Sequence, residues 1–353
     1  MDFNWSILRR EERISLKLRE LYESFSYKKF SMNKFEEYSF YMKNKNFLQS
    51  EQFITFSDTD GKLMALKPDI TLSIVKNTRA TEETSERIYY TENVYRISRK
   101  SGSFSEIKQT GVELIGKLSL YKKFEVSLLA LKSLNIISNS FMLDFSSMKY
   151  ILGALSEGNF DYQTKKRIFE CLESKNVHDL EILLKDIESD DKTCKLICEL
   201  CTLSGPFEKT ISKAEKLSCN KEMEEAIEEL KSLWEGLRET EFSDKIRLDF
   251  SITSDTDYYN GILFRGYVEG VSSACLVGGQ YDNLLSRMGK KKLEAMGFAV
   301  NFDELQRFLK SADEKEDREV VVDAAKGSLS EVYKSINDAL SQGKKIIVDS
   351  KEN

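Results

Sequence analysis

The chain has 353 residues, enough for one large domain and a smaller one with ample core. Its net charge of −6 and pI near 5.4 lack the basic excess typical of proteins that grip a nucleic-acid backbone, so nucleic-acid binding is not expected. No apolar run approaches the roughly 18 residues of a membrane helix, no signal-peptide pattern opens the chain, and six cysteines follow no regular framework, which together predict a soluble cytoplasmic protein.

The chain begins with a helical pattern and then turns to sheet-forming sequence. Residues 7–26 have the apolar periodicity of an amphipathic helix, and residues 27–30 open the first β segment. The sheet-forming motifs lie between about 30 and 150. One of them, residues 67–71, reads Lys-Pro-Asp-Ile-Thr and carries Asp69 and Thr71 two positions apart.

Two β-rich stretches predict a hairpin. Residues 87–96 and 104–116 are rich in β-formers, and a polar turn separates them. Alternation along the second strand places Gln109, Gly111 and Glu113 on one face. A strand with this face predicts a polar floor, with space above the glycine.

A helical segment interrupts the sheet-forming sequence. From about 155 to 238 the chain becomes charged and helical in period, as in residues 180–184 and 223–230. Sheet-forming sequence resumes at residues 246–250. We therefore expect a helical insertion within one core.

Residues 257–305 predict strand, tight turn, strand, glycine corner, helix and strand in that order. Gly278 and Gly279 leave room where the backbone passes close to a ligand or to another backbone. Three tyrosines, each with an apolar ring and a polar hydroxyl, can wall a small pocket: Tyr258, Tyr259 and Tyr281.

The last part of the chain predicts a small separate piece. Residues 312–318 form a polar linker, and two short apolar strands flank a helix at residues 329–341. The predicted organisation is a core of residues 1–312, with the helical insertion at about 155–238, and a β-α-β segment of residues 318–353.

Several other residues invite a functional interpretation but fit a structural one better. Cys194, Cys198 and Cys201 have the spacing of an iron–sulfur motif, yet they fall on the apolar stripe of a predicted helix, so buried thiols are expected. His178 is the sole histidine, which excludes multi-histidine metal sites and a serine–histidine–aspartate triad. Residues 290–292 are three lysines, which we expect on a solvated helix face.

The motifs, in this order, resemble the core of class II histidyl-tRNA synthetases over roughly residues 10–310. That family carries Arg-Pro-Glu-Gly-Thr, Gln-x-Gly-x-Glu, Arg-Gly-Leu-Asp-Tyr-Tyr-Thr-Gly and Gly-Gly-Arg-Tyr-Asp elements at the corresponding places. The resemblance implies an α+β fold in which an antiparallel sheet is flanked by helices. The final β-α-β segment is far shorter than the anticodon-binding domain of those enzymes.

The resemblance also implies roles for individual residues. Asp69 and Thr71 would hold an α-amino group with Gln109 beside them, and Glu113 with Tyr259 would hold an imidazole. Tyr258 and Tyr281 would be pocket walls. Arg96 matches a residue that faces an ATP phosphate in the family, although Glu92 or Glu113 could instead be its structural partner. No cofactor or metal is implied.

The chain departs from the family where positive charge is expected. Ser254 stands in place of the arginine that opens the tyrosine element, and Glu304 in place of a late arginine. Ser98 replaces a glutamate and Asn33 a proline. A site that forms an adenylate must offset the negative charge that grows during the reaction. The loss of the two arginines at positions 254 and 304 therefore predicts amino-acid recognition without activation.

A branch of the synthetase superfamily has this profile, and the chain resembles it. It contains the regulatory subunits of short-form ATP phosphoribosyltransferase, so the resemblance implies assembly with a separate catalytic subunit, as a dimer within a hetero-oligomer. L-histidine would be the effector, in the first step of histidine biosynthesis. Two alternatives remain open: a divergent synthetase-like ligase, and an amino-acid sensor for another partner.

Overall fold

The computed structural model separates the described chain into two units. One unit runs from Lys17 to Glu304, and the other combines the described residues up to Leu16 with those from Leu305 onward. The described residues are 8–48, 52–97, 102–254, 258–313, 319–323, 328–342 and 345–349. Since residues 314–318 lie outside them, the domain boundary at the linker stays a prediction.

A nine-stranded sheet runs through the larger unit. Its strands are β1 (Lys28–Lys29), β5 (Glu86–Ile97), β6 (Phe104–Gly116), β7 (Phe141–Ser147), β8 (Ser204–Pro206), β9 (Ile246–Asp249), β10 (Ile262–Val268), β11 (Leu276–Gln280) and β12 (Glu294–Asn301). Their order is β1-β5-β6-β12-β11-β10-β7-β9-β8. β1 pairs with β5 and β7 with β9 in parallel, and the other neighbours are antiparallel, which confirms the predicted sheet.

The predicted hairpin is formed by β5 and β6, although residues 98–101 of its turn lie outside the described part of the chain. Register with β12 places Gln109 opposite Asn301 and Glu113 opposite Gly297. Because side chains alternate along a strand, Gln109, Gly111 and Glu113 share one face, as expected. β12 continues that face.

A smaller sheet and two short helices adjoin the hairpin. These elements are β2 (Phe35–Glu37), β3 (Thr55–Ser57), β4 (Leu63–Leu66), α2 (Tyr38–Lys43) and α3 (Thr71–Asn77). The sheet order is β2-β4-β3. Tyr41 of α2, Ala65 of β4 and Ile74 of α3 belong to one buried cluster that also contains Tyr281. This cluster fixes α3 close to the polar face of β6.

Two long helices pack on the sheet: α1 (Arg10–Ser24), within the predicted helix of residues 7–26, and α4 (Leu120–Ile137). The hydroxyl groups of Tyr22 and Ser133 lie 3.0 Å apart, and the Tyr22 ring is 6.0 Å from that of Tyr89 on β5. A Cβ at Gly266 of β10 would lie 2.7 Å from Leu134, so the missing side chain lets α4 approach. These contacts cover the face opposite Glu113.

α5 (Met148–Leu155) ends where the segment predicted as helical begins. The segment itself contains five helices: α6 (Tyr162–Glu173), α7 (Val177–Asp186), α8 (Asp191–Thr202), α9 (Phe207–Leu217) and α10 (Lys221–Leu237). Asp161, Asn176, Asp190 and Asn220 cap α6, α7, α8 and α10 by accepting backbone N–H groups, which explains where these helices begin. The prediction missed β8, a three-residue edge strand of the large sheet. Its end at Pro206 suits an edge, because proline donates no ladder hydrogen bond.

The remaining elements are α11 (Asp282–Arg287), α12 (Phe302–Asp313), β13 (Glu319–Asp323), α13 (Leu329–Ser341) and β14 (Lys345–Asp349). The order β10, β11, α11, β12 confirms the expected sequence of elements before residue 305. In the smaller unit β13 and β14 pair in parallel around α13, which confirms the β-α-β segment. Among the described residues, no helix is both long and apolar enough to cross a membrane.

Candidate functional site

A buried carboxylate lies at the middle of the polar face. Glu113 of β6 is 3% exposed, and it lies opposite Gly297 of β12. A Cβ at Gly297 would come within 1.8 Å of Glu113 Oε2, so only glycine leaves room for the carboxylate there. The glycine on β12 therefore lets Glu113 lean across the sheet.

Both oxygens of Glu113 accept hydrogen bonds from neutral hydroxyl groups. Thr71 Oγ1, at the start of α3, donates to Oε1 at 3.0 Å, and the Tyr281 hydroxyl donates to Oε2 at 2.6 Å. Burial raises the pKa of Glu113 to about 8, while these two hydrogen bonds act in the opposite direction. No Lys or Arg of the described chain is paired with it. The carboxyl can therefore lose or accept a proton near neutral pH.

Aromatic rings wall this centre. The rings of Tyr258 and Tyr259 lie 4.6 Å apart, and those of Tyr258 and Tyr281 lie 6.0 Å apart. A Cβ at Gly279 of β11 would lie 2.6 Å from the Ile262 carbonyl oxygen, which is one of the two close approaches that the sequence suggested, and 3.0 Å from the Tyr259 ring. The three predicted wall residues therefore lie together.

The space above Gly111 is already occupied, contrary to the expectation. A Cβ at Gly111 would lie 2.6 Å from the hydroxyl oxygen of Tyr90, which is directly opposite on β5. The glycine thus makes room for a tyrosine of the same hairpin rather than for a ligand. Sequence reasoning did not assign Tyr90 to the site, although the hairpin register would have placed it there.

Asp69 has a local structural role. Its Oδ1 accepts the backbone N–H of Leu72 at 2.8 Å, which caps the N-terminus of α3 and so positions Thr71. Burial raises the pKa of Asp69, and the positive charge of Arg96 acts against that rise. Asp69 and Thr71 therefore reach the site from one helix start.

Arg96 and Gln109 lie on the same face, in the half of the hairpin that leads to its turn. Gln109 is half-buried and lies opposite Glu92. Glu92, which could have been the partner of Arg96, forms an ion pair with the buried Lys67 instead. Glu113, the other partner considered, is taken by the two hydroxyl groups described above. The positive charge of Arg96 also reaches Asp69, where it acts to lower the pKa of that carboxyl against the rise caused by burial.

The two positions that lack the expected arginines differ from each other. Glu304 lies in the first turn of α12, where its Oε2 accepts a hydrogen bond from Ser273, so an acidic side chain stands where the family has a basic one. Ser254 ends a described stretch, and Asp257 lies outside the described residues. The carbonyl oxygen of Thr253, next to Ser254, accepts a hydrogen bond from Arg265 of β10 at 3.0 Å. Sequence reasoning missed this arginine.

The cysteines and the lysine run do not form a further site. Cys201 is buried on α8, burial raises the pKa of both Cys198 and Cys201 to about 11, and no metal-binding cluster occurs among the residues that the structure describes. His178 is exposed on α7. Residues 290–292 lie in the loop after α11 rather than on a helix, since the helix ends before Gly289, whose φ is +82°.

Comparisons with known proteins agree with this architecture. A sequence profile of the histidyl-tRNA synthetase family matches residues 2–305. The ATP phosphoribosyltransferase regulatory subunit of Clostridium kluyveri is 29% identical over 336 residues, covering 92% of this chain and 85% of that protein. The protein of the same name from Clostridium acetobutylicum is 28% identical over 349 residues, covering 95% of this chain and 84% of that protein.

Solved structures share the fold at lower identity. An ATP phosphoribosyltransferase regulatory subunit/histidyl-tRNA synthetase from Bacillus halodurans superposes with a TM-score of 0.75 at 22% identity, over 97% of this chain and 89% of that one. A chain of the ATP phosphoribosyl transferase complex from Thermotoga maritima gives 0.65 at 16% identity, over 85% and 98%. The predicted class II synthetase-like fold is confirmed.

Proposed function

The chain belongs to the histidyl-tRNA synthetase family, and from this premise we propose that it is the regulatory subunit of an ATP phosphoribosyltransferase. The observation that carries the proposal is that relatives aligned over more than nine-tenths of this chain bear that name. The chain then takes part in the first step of histidine biosynthesis without carrying the reacting groups. Its partner is the separate, short-form catalytic subunit.

The charges of the site support a role without adenylate chemistry. A cation about 4 Å from a phosphate contributes on the order of 4 kcal/mol at an effective dielectric of 20. Glu304 reverses the sign of that contribution, and Ser254 cannot replace a bidentate arginine. Since each 1.4 kcal/mol or so is about tenfold in rate, the two changes together cost several decades.

Recognition of an amino acid needs less charge than its activation, and the groups for it remain. L-histidine is the effector in this proposal, with its imidazole between Glu113 and Tyr259. Asp69, Thr71 and Gln109 hold its α-amino group. Tyr258 and Tyr281 wall the pocket, and Arg96 remains a candidate phosphate contact.

Feedback by this pocket requires linkage between ligand and assembly. Histidine changes the activity of a distant catalytic subunit only if it binds one conformation of the assembly better than another. The regulatory chain self-associates as a dimer within a hetero-oligomer in the cytoplasm, and the effector acts on that assembly. In this proposal, the contacts of histidine with the polar centre of the pocket differ between the two conformations and so favour one of them.

Reconstitution tests the proposal directly. The short-form catalytic subunit is assayed for phosphoribosyl transfer alone, with this chain, and with this chain plus histidine. We expect the chain to raise the rate and histidine to lower it again. A rate that does not depend on the chain contradicts the proposed function.

A second assay addresses the alternative of a divergent ligase. ATP–pyrophosphate exchange that depends on histidine is expected to stay at background, because the cations at positions 254 and 304 are missing. Exchange well above background identifies the chain as an amino-acid-activating enzyme instead. The same purified protein serves both assays.

A further inference from the structure

The floor of the pocket extends across the sheet to an arginine. Register places Glu113 opposite Gly297, Gly297 opposite Gly279, and Gly279 opposite Leu263 of β10. Arg265 follows Leu263 by two positions, so both side chains leave the same face of the sheet. Neighbouring strands lie about 4.8 Å apart, so β10 is about 10 Å from β12. β12 is the strand over which the Glu113 carboxylate lies, at Gly297.

The guanidinium of Arg265 is held beside the position of a lost arginine. Its Nη2 donates to the Thr253 carbonyl oxygen at 3.0 Å and to Glu173 Oε1 at 2.6 Å. Thr253 directly precedes Ser254, where the family resemblance leads one to expect an arginine. The positive charge of Arg265 also acts to lower the pKa of Tyr259, against the rise caused by burial. A cation from β10 is thus bound to the backbone of the residue that precedes Ser254.

Glu173 is the last residue of α6, so its bond to Arg265 joins the helical segment to the pocket floor. Both side chains are partly open to solvent, with 29% exposure for Arg265 and 42% for Glu173. Asp144 of β7 is the cross-strand neighbour of Arg265, but its Oδ1 makes no hydrogen bond in the described chain. Among these two carboxylates, Glu173 is the one that engages the guanidinium.

We infer that Arg265 binds the carboxylate of the amino-acid ligand, and that Glu173 competes with that carboxylate for the guanidinium. This inference rests on the proposed function, since it concerns the same ligand. A guanidinium offers a planar set of five donors that pairs with one carboxylate in a bidentate fork. Nη2 uses one N–H group for Glu173 and the other for the Thr253 carbonyl oxygen, so a ligand carboxylate that takes the fork on the Glu173 side displaces Glu173 and frees the end of α6.

The competition gives the helical segment a direct response to the ligand. The coupling between the two carboxylates is reciprocal. If the ion pair with Glu173 weakens ligand binding to Arg265 by some factor, the bound ligand weakens the Arg265–Glu173 ion pair by the same factor. The effect of Glu173 is modest, because both partners are partly exposed. The effect of Arg265 on the ligand is larger, because it is a hydrogen bond between two charged groups.

Calorimetric titration of the full chain with L-histidine and L-histidinol tests the inference. Histidinol keeps the imidazole and the amino group but carries a hydroxymethyl group in place of the carboxylate. Arg265→Met should weaken histidine binding by about ten- to a hundredfold and should not weaken histidinol binding. Glu173→Gln should tighten histidine binding by about two- to fivefold and should not tighten histidinol binding.

Glu215→Gln is the matched control, since Glu215 pairs with Lys231 at 2.6 Å elsewhere in the helical segment. It should leave both affinities unchanged. If Arg265→Met does not fold, the partly exposed Glu173→Gln decides the question. The inference is overturned if Arg265→Met or Glu173→Gln leaves the histidine affinity unchanged. It is also overturned if the histidine and histidinol affinities change in parallel. In both cases the proposed role of histidine as effector still stands. If wild-type chain binds no histidine, the effector role falls, and the inference falls with it.

Discussion

Replacing Glu113 by glutamine should remove a large pH dependence of stability. Burial raises the pKa of this carboxyl from its usual 4.5 to about 8, so the native state keeps a proton that the unfolded chain releases between those values. Stability from this group is therefore complete below pH 4.5 and falls as pH rises towards 8. Between pH 6 and pH 9 the loss amounts to about 3 kcal/mol, because each pH unit with a full proton difference is worth about 1.4 kcal/mol.

The assay is urea unfolding of the wild-type chain and of Glu113→Gln at pH 6 and pH 9. All other titrating groups are common to both proteins, so the difference of differences isolates this carboxyl. We expect the wild type to lose about 3 kcal/mol more than the variant over this range. Glu215→Gln, on the exposed side of α9, controls for the loss of one charge. If the wild type and Glu113→Gln show the same pH dependence of stability, the conclusion that Glu113 is a buried carboxyl with no cation paired to it is refuted.

Three further outcomes follow from the same contacts. Histidine should raise the melting temperature of the wild-type chain in a thermal scan, since a ligand of the native state stabilises it, and no shift at millimolar ligand counts against the pocket. Gly297→Ala should lower stability by about 1–3 kcal/mol in urea unfolding, because its Cβ meets Glu113 and the Val112 backbone. Lys67→Met should lower the free energy of unfolding by about 3 kcal/mol in the same assay, since it leaves Glu92 without its ion-pair partner. Wild-type stability in Gly297→Ala or in Lys67→Met contradicts the contacts described for that residue.

Local patterns were enough to predict much of the sheet. Alternation along residues 104–116 placed Gln109 and Glu113 on one face, and the β-α-β segment followed from two short apolar runs around a helix. β8 was missed because three residues, one of them Pro206, carry no alternating pattern. Its pairing with β9 is a long-range contact that sequence spacing does not reveal.

The site was harder to predict, because its details depend on contacts between distant segments. Tyr90 fills the space above Gly111, and that follows from hairpin register, which could have been worked out. The ion pair between Arg265 and Glu173 could not have been, since it joins a sheet strand to the end of a helix 92 positions earlier. The capping role of Asp69 likewise appears only once α3 is placed.

The roles of the individual pocket residues stay predictions. The assignment of Glu113 is the most important of them, because the other residues are placed relative to its carboxylate. Thr71, Tyr281 and Gly297 all meet its carboxylate. A ligand with an imidazole can exchange a proton with a carboxyl whose pKa is about 8. The same centre without nearby arginines at positions 254 and 304 favours binding over activation.

The most direct test of feedback through this pocket is the histidine concentration that halves phosphoribosyltransferase activity in the reconstituted complex. We predict that Glu113→Gln raises this concentration by about tenfold or more, because an amide cannot become an anion and so cannot form a charge-assisted hydrogen bond with the imidazole. An inhibition midpoint equal to that of the wild-type complex contradicts the assignment of the effector to the Glu113 centre.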